Sequence, residues 1–173
     1  LIKRRWQDAF GNLRPVDMAA IDAGAWTDDV LDWARRHPIS KVIMVRGSGS
    51  DLAPTLALVY SGERKRTGKI KRYGKRFYTV GVSGLKMSLY DRLAKTDPLE
   101  RGYIGLPAGL DADFYQQLTA ERREKRRKKD GTERRYWTKE SAQAKEIQDT
   151  ALFAEVAAIR TGCRQQNDAD WAA

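Results

Sequence analysis

The sequence predicts an α/β domain, and three observations predict it. An apolar run from Val16 to Ile21 is followed by an amphipathic segment from Thr27 and then by a second apolar run, Lys41 to Arg46. Further short apolar stretches follow at Leu56 to Tyr60 and Phe77 to Val82, broken by Gly and Ser. At 173 residues, with 41% hydrophobic residues, the chain is long enough to bury a core without disulfides or structural metal.

Val16 to Ile21 reads as a buried strand that ends in Asp22 and a glycine turn. Thr27 suits the N-cap of the next helix, with Asp28 and Asp29 at its positive end. Val30, Leu31, Trp33 and Ala34 give that helix an apolar side, and Pro38 follows its end. Lys41 to Arg46 is the second strand, stopped by Gly47, so the unit is βαβ with parallel strands. A Gly/Ser loop over residues 47 to 55 leads to two strands that flank a basic hairpin or flap at residues 64 to 76. Leu85 to Ala94 reads as a helix, and Tyr103 to Leu106 as a short strand or extended segment. A helix is expected from Asp113 to about Arg127, ending at Asp130-Gly131, with Arg134 to Thr138 extended. The last helix runs from about Ser141 to Arg160 and stops at Gly162.

Charge narrows the partners. The net charge is +10, and eight Lys/Arg fall within residues 64 to 76 and nine within residues 122 to 135, about half of the 33 in the chain. Such clustering is the electrostatic footprint of a polyanion. Neither segment has the apolar face of an interfacial helix, and no apolar run is long enough to span a bilayer, so no membrane partner is expected. The opening, Leu1 to Phe10, is charged and broken and does not read as a secretory signal. One Cys, at 163, forms no internal disulfide and fits a reducing compartment. With one Cys and one His the chain lacks the usual zinc ligands, so a metal would be held by oxygen, as Mg²⁺, Mn²⁺ or Ca²⁺ is.

The acids that could do this are Asp22, at a strand terminus where α/β sheets gather ligands, and the pair Glu146 and Asp149. Asp149 lies three, four and seven residues before Leu152, Phe153 and Val156, which places it on the apolar stripe of the last helix. Carboxylates turned toward a core need a cation. The same residues have a structural reading, since strand-end aspartates close turns and helix acids pair with Lys or Arg. In residues 64 to 76 aromatic Tyr73 interrupts the cations, as in a basic hairpin lying on a duplex; the alternative is a solubilising flap. Residues 122 to 135 read as a solvated helix end and turn that adds non-specific DNA affinity at most. His37 and Cys163 read as incidental and Trp6, Trp33 and Trp137 as packing residues, with Trp26, directly after the acidic turn, the exception to watch. Gly62 to Lys69 has the wrong spacing for a Walker A loop and lacks its Ser/Thr.

Five blocks in order give the chain a wider resemblance: AIDAGAWTDDVLDWAR (20 to 35), VIMVRGSG (42 to 49), VGVSGLKMSLYDRL (80 to 93), FYQQLTAE (114 to 121) and KEIQD (145 to 149). They resemble the nuclease domain of the large terminase subunit of tailed phages, the lambda-like GpA family. The resemblance implies an RNase H-like nuclease fold, a mixed sheet with flanking helices, and a two-metal Mg²⁺ or Mn²⁺ endonuclease that cuts concatemeric double-stranded DNA during packaging in the bacterial cytoplasm. It implies the terminase small subunit and the portal or prohead as partners. Asp22 matches the family's second metal acid and Asp149 its last; Glu146 matches the glutamate of the closing motif. Lys86 matches a lysine at a helix start that contacts phosphate or the reacting centre, the alternative being a solvated surface lysine. Arg64, Lys65, Arg66, Lys69, Lys71, Arg72, Lys75, Arg76 and Lys86 are the expected DNA contacts.

Two departures stand out. Lys145 occupies the position of the motif's Asn, and Gln148 that of the hydrophobic residue before its final Asp. The family's opening strands, with the first metal acid, are expected upstream of Leu1, so residues 1–173 read as a single nuclease domain, a fragment without those strands or the ATPase motor. The rival reading is a truncated or degenerate module that binds DNA without cutting it. A basic assembly protein with no DNA role leaves the Asp22 turn and the acidic stripe without a cause.

Overall fold

The computed structural model describes residues 2–8, 10–61, 75–127 and 129–166. The elements are β1 (Arg5–Gln7), β2 (Leu13–Pro15), β3 (Ala19–Asp22), α1 (Thr27–Ala34), β4 (Val42–Ser48), β5 (Leu56–Ser61), β6 (Lys75–Gly81), α2 (Val82–Leu93), α3 (Ala112–Leu118), β7 (Arg122–Arg127), β8 (Glu133–Thr138) and α4 (Glu146–Arg160). The chain divides into two compact units, residues 1–82 with 153–173, and residues 83–152. The fold class is mixed α/β, as expected.

The first unit carries a four-stranded sheet of order β3-β4-β6-β5. β4 runs parallel to both β3 and β6, and β5 closes the edge antiparallel to β6. Val42, Ile43, Met44 and Val45 of β4 are all buried, as a strand with parallel neighbours on both sides requires. The βαβ expectation holds: Ala23, Leu31 and Met44 form a core cluster joined by Ile21, Val30, Ala34 and Phe77.

β3 starts at Ala19 rather than Val16, because its pairing starts where β4 offers partners, with Ala19 opposite Val42. β4 continues through Gly47 to Ser48, pairing Gly47 with Val80. Gly81 needs its missing side chain: a Cβ there would lie 2.6 Å from the Ala53 carbonyl oxygen and 2.7 Å from that of Pro54. Backbone cannot yield as a flexible side chain does, so Gly81→Ala should destabilise the protein by about 1–3 kcal/mol. A thermal melt reads this, and an unchanged Tm would contradict the packing at the β6–α2 junction.

An antiparallel hairpin of β1 and β2, not expected from the sequence, precedes this sheet. Its residues are exposed, so no apolar alternation announces it. Asp8 organises its turn, accepting from the amides of Phe10 (3.0 Å) and Asn12 (2.8 Å) and from Arg14 Nε (2.9 Å). The Arg14 hydrogen bond, with those from the turn, lowers the Asp8 pKa from 3.8 to about 2. A depressed carboxyl supports the folded hairpin above the unfolded value and loses that support as pH falls through the folded one. The turn should therefore loosen between pH 3.8 and about 2, and an NMR titration of the Asp8 carboxyl midway near 3.8 would contradict it.

In the second unit two expectations are corrected. The helix from Asp113 ends at Leu118, and residues 122–127 are β7, paired antiparallel with β8. The Asp130-Gly131 turn between them, with Gly131 at φ 84°, closes a hairpin that overrides the helical propensity of RREKRR. The last helix starts at Glu146, not Ser141. Lys139 Nζ donates to the carbonyls of Glu140, Ser141 and Gln143, at 3.3, 3.4 and 2.7 Å, and holds that stretch in a turn. Tyr103 to Leu106 forms no strand.

Candidate active site

The acidic turn after β3 is built on backbone and on one arginine. Ala23 is fully buried and its amide donates to the Val45 carbonyl at 2.8 Å, extending the β3–β4 ladder past Asp22. The exposed Asp22 carboxylate accepts from the Gly24 amide at 2.8 Å. A Cβ on Gly24 would come within 3.1 Å of that same oxygen, so glycine lets the turn close on the acid. The helix cap is Trp26 rather than Thr27, in the left-handed region at φ 52° and with no side-chain capping bond. That conformation is disfavoured for a bulky side chain, and the indole is 81% exposed.

Arg46, on β4 just past Asp22's register partner Val45, locks this turn. Its Nε donates to the Ala23 carbonyl at 2.9 Å and a terminal nitrogen to Thr27 Oγ1 at 2.8 Å. Its guanidinium lies 4.6 Å from the Phe77 ring centre. Thr27 Oγ1 in turn donates to Ala23 O at 2.9 Å. Sequence reasoning missed Arg46, because it reads as the end of a strand rather than as part of a turn 19 residues away.

In the second unit, Asp149 sits in the first turn of α4. Its carboxylate accepts from Lys145 Nζ at 2.6 Å, and Glu146 accepts from the Lys145 amide at 3.0 Å. Asp149 is half-buried and Glu146 exposed. The buried stripe of α4 is Gln148, Leu152 and Val156, one position round from the expected one. The two acids therefore flank the core face instead of pointing into it, and Lys145, standing where the family has Asn, neutralises Asp149.

Gln148 explains the other departure. It is fully buried, and its amide nitrogen donates to Tyr90 Oη at 3.2 Å and to the Leu118 carbonyl at 3.1 Å. Tyr90 donates to the Glu121 carbonyl, and burial pushes its phenol pKa up. Lys86, expected at a DNA surface, has a side chain only 6% exposed and forms an ion pair with Glu121, whose side chain is 11% exposed. The Trp137 ring centre lies 5.4 Å from its ammonium, and Trp137 Nε1 donates to Ser83 Oγ at 2.9 Å. Tyr90 stacks on Trp137 with ring centres 5.8 Å apart. Glu121 closes the Leu-Thr-x-Glu segment, but sequence gave no sign that its partner was Lys86, 35 positions away.

Arg64, Lys65, Arg66, Lys69, Lys71 and Arg72 lie outside the described residues. Lys75 and Arg76 open β6. Among the described residues, no three His, Cys, Asp or Glu side chains gather as a metal-binding group. The donors available are carboxylate oxygens, on Asp22 and Asp149, that reach solvent, and this donor chemistry suits a hard divalent cation.

A family described as terminase large subunit gpA, endonuclease domain, matches residues 1–171. Comparison with curated proteins and with solved structures gives no match.

Proposed function

The chain belongs to the endonuclease-domain family of the phage terminase large subunit gpA, and from that premise we propose that it cuts double-stranded concatemeric DNA with Mg²⁺ or Mn²⁺, Asp22 and Asp149 each serving as a metal ligand. The observation that carries this reading is the Asp22 turn. An exposed carboxylate stands at the carboxyl end of a parallel strand, and Arg46, Gly24 and the β3–β4 ladder fix its backbone. That much order around an exposed acid is what a ligand needs, since its orientation is set before anything binds.

Divalent ions bound there would activate water and stabilise the leaving oxygen of the phosphodiester. Asp22 presents carboxylate oxygen at a pre-ordered turn. Asp149 presents a second carboxylate, whose present cation is the Lys145 ammonium. Glu146, exposed beside it, is an auxiliary acid. Lys86 is a positioning residue in this reading: its charge is spent on Glu121 and the Trp137 face, which ties α2 to the segment following α3 and to β8. The basic residues from Arg64 to Arg76 are proposed as phosphate contacts on charge alone.

The β3-β4-β6-β5 sheet with its helices supports an RNase H-like reading, and residues 1–173 are read as one nuclease domain. The terminase small subunit and the portal are the proposed packaging partners, with the host cytoplasm as the place of action. Among the described residues no helix is long and apolar enough to cross a membrane.

Metal binding tests the site without reference to cutting. Mn²⁺ titrated into the full chain and followed by electron paramagnetic resonance should show saturable binding, weakened at least about tenfold in Asp22→Asn. Equal binding by the variant would remove Asp22 from the ligand set.

A further inference from the structure

The β7–β8 ribbon carries more positive charge than its own acids offset. Register sets Lys125 opposite Arg135 and, on the next rung, Arg126 opposite Arg134. Directly opposed like charges destabilise a two-stranded ribbon, and alternate rungs point to opposite faces. Each face therefore bears an opposed pair of cations. All four side chains are exposed, as are Arg127 and Lys129 toward the turn. Among the described residues neither Lys125 nor Arg135 has an acidic partner. Arg126 pairs with Glu124 at 3.5 Å, and Arg134 acts electrostatically on the Asp130 carboxylate.

The root of the ribbon is anchored differently. Arg122 Nε bonds Glu124 at 2.7 Å, Arg123 donates to Met87 Sδ at 2.7 Å, and Trp137 is held by Ser83. A fixed root and a tip cationic on both faces describe an element whose missing counter-charge lies on two sides at once. A surface offers phosphate to one face of a ribbon; a groove offers it to both. The major groove of duplex DNA is wide enough for a two-stranded ribbon, and phosphates line both of its walls.

We propose that the β7–β8 tip enters the major groove of double-stranded DNA, with Lys125 and Arg135 on one wall and Arg126 and Arg134 on the other. This rests on the reading of the chain as a nuclease acting on duplex DNA. It makes the ribbon a binding element separate from the acids.

The test is equilibrium binding of the full chain to a fluorescent duplex in EDTA, which excludes metal-dependent cutting, over a range of salt. Each phosphate contact adds about 0.9 to the slope of log K against log salt. Lys125→Ala/Arg135→Ala and Arg126→Ala/Arg134→Ala should each flatten that slope by about 1 to 2. Glu133→Gln, which removes an acid near the tip, should tighten binding, an outcome that misfolding does not produce. The Tm of each double variant without DNA should stay level or rise, since a repulsive rung has gone.

Flattening by one double variant alone overturns groove entry in favour of one-sided contact. Flattening by neither overturns the ribbon's role while leaving DNA binding intact. Absence of salt-dependent duplex binding by the wild type overturns both this proposal and the nuclease reading. Equal weakening toward a polyglutamate competitor would make the tip a general anion patch and overturn the duplex assignment.

Discussion

Glu121→Ala is expected to destabilise the protein by about 3–5 kcal/mol, the usual result of stranding one partner of a buried ion pair. Lys86 would keep its charge beside the Trp137 ring, in an environment where its side chain is 6% exposed. For a chain of this length such a loss lowers Tm by roughly 10 °C. The double change Lys86→Met/Glu121→Leu should recover most of it, because replacing a buried pair by apolar residues of similar volume is often neutral. Thermal melts of the single and double variants decide the matter. A single variant within about 1 kcal/mol of wild type would mean that water reaches the pair, and Lys86 would return to consideration as a DNA contact.

Asp149→Asn is expected to lower metal-dependent DNA cleavage at least about a hundredfold, or about 2.7 kcal/mol of barrier. It should leave duplex affinity intact or raised, since it removes a negative charge near the substrate. The isosteric amide leaves the α4 backbone unchanged, and the Lys145 bond it weakens is a partly exposed i,i+4 pair that adds little to stability. A loss of cleavage accompanied by a matching fall in Tm would point to structure rather than to metal binding. Unchanged cleavage would remove Asp149 from the site.

Most of the first unit was legible. The run KVIMVR and the amphipathic segment before it carry their periods openly, and the Asp22 turn is marked by its glycine. What was not legible depends on pairing across distance. The bounds of β3 follow from where β4 lies opposite, which its own residues do not encode. RREKRR reads as helix on propensity and becomes strand because ERRYWT returns beside it across Asp130-Gly131. The Asp-Gly dipeptide was the available signal, and its position between two polar runs hid it. The β1–β2 hairpin has no buried side to betray it.

Among the candidate residues, the chain order marked Asp22, Glu146, Asp149 and Lys86 through the family motifs, yet the environment of each came only with the fold. Gln148 looked like a defect in a motif and is instead a buried donor to Tyr90 and Leu118. Arg46 and Glu121 act through partners 19 to 35 positions away, a separation that single-sequence patterns do not encode.

Metal-dependent hydrolysis of duplex DNA is read out by cleavage of supercoiled plasmid with the wild-type chain. In Mn²⁺ nicked and linear products should form, and none when EDTA is added. Products formed equally in EDTA would rule out metal-dependent cutting.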